Sequence, residues 1–212
     1  MQLRVPAAFL FCSALLSTSL HAQYKMDAAG STAPTEISAA AVKDLQSPGM
    51  KILTPTGQVF CEVWFAKSAP TGGTSTESDV TLPTVPVGSL LGVIQFPAKG
   101  EDRRGQVIPA GTYTLRYVLM PVNGAHLGAA PQRDFVAMLP ANADGGSVVK
   151  MSLDDVVAAS TKVSGTSHPA VLSIAPGSGK SGFAKEGDHD WTLNTKVGDL
   201  PVAIILVGKA EG

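Results

Sequence analysis

Three histidines lie in the body of the chain, His126, His168 and His189, with Asp134 downstream of the first and Asp188 and Asp190 flanking the last. Three imidazoles, or two with a carboxylate, make the ligand set of a catalytic zinc or non-haem iron. His126 and His168 are therefore candidate ligands for a divalent metal. No pair has the i, i+2 or i, i+4 separation that sets two ligands on one face of an element. A plainer reading has His168, just ahead of Pro169, satisfying a turn. Arg133 and Asp134 offer other chemistry, since a guanidinium grips a carboxylate through two parallel hydrogen bonds. With the histidines they form a candidate ligand-binding set: His126, Arg133, Asp134 and His168. Neighbouring strand residues point to opposite faces, so Arg133 and Asp134 are expected to find separate partners, Asp134 with His126 or His168. Anchoring of the loop to its strand accounts for the same pair without a ligand.

Two motifs are excluded. Pro176-Gly177-Ser178-Gly179-Lys180-Ser181 ends like a phosphate-binding loop, but the first glycine of that pattern falls where Ile174 stands. Gly182 to Gly187 is also too short to be the helix whose N-terminus holds phosphate, so a flexible loop is expected. Gly165-Thr166-Ser167-His168-Pro169 ends in Pro where a nucleophile elbow needs Gly. No catalytic residues are assigned.

The elements that must position these groups are extended. Pro109-Ala110-Gly111 signals a turn. After it, Tyr113, Leu115, Tyr117 and Leu119 alternate with Thr112, Thr114, Arg116 and Val118, the period of a half-buried strand. Further strands are expected at Met50 to Thr54, Gln58 to Lys67, Ser89 to Phe96, Asp134 to Leu139, Ala170 to Ala175, Trp191 to Val197 and Leu200 to Val207. Cys61 reads as a small core hydrophobe. Helices are expected at Pro34 to Gln46 and from Ser152, an N-cap, to Gly165. Ser68 to Asp79 reads as a surface loop. Ala98 to Gln106, with charges of both signs, reads as a solvated hairpin tip. Antiparallel strands with short links predict a mainly β fold, a two-sheet antiparallel β-sandwich of about eight strands with two short helices.

At the N-terminus Arg4 precedes an uncharged apolar run closing at Leu20-His21-Ala22, the layout of a signal peptide spanning residues 1–22. Residues 23–33 are expected to be disordered and residues 34–212 to form a single domain. Removing Arg4 takes the net charge from -1 to -2, which gives no basis for binding nucleic acid. The apolar run is too short to span a membrane. The remaining chain has one cysteine, so no internal disulfide supports the fold.

Gly124 to Phe135, Ser164 to Leu172 and Val207 to Glu211 resemble segments of a group of uncharacterised secreted bacterial proteins, marked by a GxHxGxxPxRDF-like loop and an SGTxHP-like turn. The resemblance implies export to the periplasm or the extracellular space and a single domain, and it transfers no activity. The leading expectation is an exported, non-enzymatic module binding a small molecule or an envelope protein through the Asn123 to Asp134 loop and the His168 turn, without a cofactor. The alternatives are a metal-dependent enzyme using His126 and His168, and a structural, envelope-associated protein.

Overall fold

The computed structural model describes residues 23–30, 32–123 and 129–210. The chain begins with strand β1 (Lys25–Ala28), helix α1 (Ala39–Lys43) and strands β2 (Met50–Leu53), β3 (Val59–Phe65) and β4 (Leu90–Phe96). A small hairpin, β5 (Gly100–Glu101) with β6 (Val107–Ile108), precedes β7 (Gly111–Leu119) and β8 (Asp134–Pro140). Helices α2 (Ala141–Asp144) and α3 (Leu153–Ser164) follow, then β9 (Val171–Pro176), β10 (Gly182–Glu186), β11 (Asp190–Val197) and β12 (Leu200–Val207). Ser152 caps α3 by accepting the Asp155 amide at 3.1 Å, and Gly165 ends it at φ 67°, where a side chain would be strained.

Strand makes up 39% and helix 12%, so the fold is mainly β, but it is not a two-sheet sandwich. Ten strands form one antiparallel sheet, β1-β2-β3-β4-β7-β8-β9-β12-β11-β10, rolled into a nearly closed barrel. The sandwich expectation fails for a physical reason. Alternation shows that each strand has a core-facing side, and one sheet curled on itself meets that condition as well as two stacked sheets. The strands that bring the edges together, β1 and β10, lie where disorder and a flexible loop were expected.

Side-chain contacts bridge the seam between the two edges of the sheet. Tyr24 packs against Phe60, Phe183 and Trp191, with ring centroids 5.9, 6.2 and 5.2 Å away. The Gln46 side-chain amide donates both to Ala66 O, at the end of β3, and to Lys196 O, on β11, at 2.9 and 3.0 Å. Gly198 N adds a bond to Ala66 O at 2.9 Å. The expected Pro34 to Gln46 helix contracts to α1, and Gln46 just beyond it fastens one end of the seam.

A ten-stranded barrel is wider than the eight-stranded one whose own side chains just fill it. This lumen is filled by large residues, Phe65, Phe96, Tyr113, Tyr117 and Met138, and by Leu82 and Val85 from the long β3–β4 connection. Outside, two sectors are covered. Trp64 and Val93 lie under Ile37, Ala41 and Leu45 in and around α1. Phe135, Ala137 and Leu139 lie under α3, where fully buried Val156 contributes about 1.5 kcal/mol of burial. Beyond Val171, which joins the α3 cluster, the outer face of β9, β12 and β11 carries no helix among the described residues.

Candidate functional site

Arg133 and Asp134 stand where β8 begins, and both serve the protein's own backbone. Asp134 is 0% exposed and accepts from Thr81 N at 2.8 Å, Leu82 N at 2.9 Å and the Tyr117 hydroxyl at 2.6 Å. Arg133 donates to Met120 O at 2.5 Å and pairs with Glu77, while its backbone N–H binds Asp79 O. Together they clamp the β3–β4 connection over one end of the barrel. Burial, followed by the hydrogen bond and charge of Asp134, raises the Tyr117 pKa above its ordinary value.

His168 is elsewhere. It is exposed in the turn after α3, its backbone N–H donating to the Thr166 hydroxyl at 3.0 Å and its carbonyl accepting from Ser164 at 2.6 Å. The β8/β9 register, Phe135 opposite Ser173 and Ala137 opposite Val171, sets position 168 level with the far end of β8. Asp134 stands at the opposite, starting end of β8. The expected Asp134–His168 partnership is thus replaced by Tyr117 and two backbone amides. His126 lies outside the described residues. Among the described residues no three His, Cys, Asp or Glu gather as a metal site requires.

Two further buried polar centres were not singled out in the sequence. Arg116, 0% exposed, grips Asp144 at 2.7 Å and donates to Gly88 O, Ser147 O and Val149 O, tying the loop after α2 to the barrel wall. Asp102 is 2% exposed, so the expected solvated tip hides a carboxylate that binds Arg104 N, Gln106 and Val171 N. In each case the polar atoms are met from within the chain.

The uncovered sector is different. A cleft of about 520 Å³ lies on it, floored by Ser173, Ala175, Thr192, Ala203 and Ile205. One wall is the Ala129–Gln132 segment with Arg103, and the other holds Glu186 and Asp190. A smaller recess lined by Asp188, His189 and Lys209 continues from it, sharing Arg103, Glu186 and Asp190. No family model, curated protein or solved structure matches this chain. The cleft must therefore be read on its own chemistry.

Its polar atoms are set in position by neighbours. Arg103 donates to Ala129 O at 3.1 Å and pairs with Asp190 at 2.6 Å. Gln132 donates to Ser173 Oγ at 2.9 Å. The buried Thr192 hydroxyl donates to Glu186 at 2.9 Å. Sequence reading missed this site because its members come from segments scattered between Arg103 and Ala210 and none forms a motif. The apolar run Leu200 to Val207 put Ala203 and Ile205 on the outer face of its strand, but nothing in that run distinguishes a face under a helix from an uncovered one. No helix among the described residues is long and apolar enough to cross a membrane.

Proposed function

We propose that this protein is an exported, non-enzymatic binding module that holds a small ligand on the outside of its barrel, in the cleft over β9, β12 and β11. The observation carrying this reading is the contrast between a lumen filled by aromatic and aliphatic side chains and an outer sector left bare. The cleft's volume falls in the ~300–1,000 Å³ range of small-molecule sites, and its floor of short side chains leaves room for a guest. Export is supported by the leader-like residues 1–22, whose removal leaves a single thiol. That thiol, Cys61, is buried among apolar neighbours that raise its pKa, which fits a packing residue and not a nucleophile.

The test is a ligand screen by amide chemical-shift mapping on the wild type and on Ala203→Phe, which fills the floor. Hits are expected to perturb Ser173, Ala175, Thr192 and Ala203 and to vanish in the variant. Hits that persist in a folded Ala203→Phe protein would sink the proposal.

A further inference from the structure

We infer that the cleft selects a small aliphatic amine, its ammonium group against Glu186 and its carbon chain along Ala175, Ala203 and Ile205; this rests on the cleft being the binding site. The first observation is charge. Arg103, the cation in the wall, is neutralised by Asp190 at 2.6 Å and turned to Ala129 O by its Nε. Glu186, on the facing wall, accepts from the Thr192 hydroxyl at 2.9 Å and is exposed. In the adjoining recess Asp188 and Lys209 offset one another, which leaves Glu186 as the remaining charge. The unbalanced charge facing a guest is negative, so the complementary guest is a cation.

The second observation is preorganisation. Thr192 is 2% exposed and fixes one oxygen of Glu186, leaving the other for a donor. A charge-assisted hydrogen bond to a positioned carboxylate is among the stronger polar contacts a ligand can make. The third is the floor. Alanines at 175 and 203 and the flank of Ile205 present a shallow apolar strip, and the strip lacks the aromatic faces that would favour a sugar ring or a quaternary ammonium. A straight alkyl chain covers such a strip with little desolvation of polar groups.

The experiment titrates the chain from Gln23 onward with n-hexylamine, and with n-hexanoate as the isosteric anion, by calorimetry and amide mapping. Saturable hexylamine binding is expected, with Glu186→Gln weakening it about tenfold, Ala203→Phe abolishing it, and hexanoate silent. Affinity should fall as NaCl rises. Hexylamine binding unchanged in Glu186→Gln, or hexanoate binding as well as the amine, would overturn the inference. So would tighter binding of a lysine-containing heptapeptide, which would make the guest a polypeptide. If library hits are lost in Ala203→Phe while hexylamine is inert, the amine is wrong and the cleft stands. If no ligand is lost in that variant, the cleft itself is wrong.

Discussion

The clamp at the barrel end and the cleft on its flank are built from the same residue types and differ in where their hydrogen bonds go. Asp134 and Arg116 are each 0% exposed, with their polar atoms met by the chain's own amides, carbonyls and side chains. Glu186 is exposed and accepts from the Thr192 hydroxyl. A buried polar group without a partner is costly, so the first kind of residue holds the fold and the second is open to a guest. Polar residues clustered in sequence therefore mark a site only when some of their bonding capacity faces outward.

The largest expected effect is at Arg116. Arg116→Met leaves the Asp144 carboxylate unpaired where its side chain is 4% exposed, and should cost about 3–5 kcal/mol in urea unfolding. Asp134→Ala strands two backbone amides and the Tyr117 hydroxyl and should cost about 2–4 kcal/mol, with ligand binding at the cleft retained. Loss of that binding in a folded Asp134→Ala protein would break the comparison. Tyr24→Ala, which opens the aromatic seam, should cost about 2 kcal/mol in the same assay.

A smaller effect is expected from pH. Because the folded Tyr117 pKa lies above the ordinary value of 10.0, the stability tied to its neutral form is fully present below about pH 10. It is lost as pH rises through the folded value. Unfolding followed at several pH values should show this alkaline loss, reduced in Tyr117→Phe. The smallest effects belong to exposed residues: Glu186→Gln and His168→Ala should leave the unfolding midpoint unchanged, and only the former should alter binding.

Much of the wall was legible in the sequence. The inward set Tyr113, Leu115 and Tyr117 and the outward set Thr112, Thr114 and Arg116 follow from period-2 alternation, and α3 follows from its Ser152 cap and Gly165 stop. Closure was not legible, because it rests on Tyr24 and Gln46 reaching residues more than 100 positions away in the chain. The candidate set was legible as polar chemistry and not as geometry. Arg133 and Asp134 turn to the β3–β4 connection, and strand register sets His168 at the opposite end of β8 from them. Alternation also gave no sign that one sector would go without a helix, since covered and bare strands share the same pattern.

The most direct test of the account is amide chemical-shift mapping during a hexylamine titration of the folded protein. Perturbations are expected at Ser173, Ala175, Glu186, Thr192 and Ala203, with Leu82, Tyr117 and Asp134 unmoved. Shifts concentrated at the clamp, with the cleft residues silent, would contradict it.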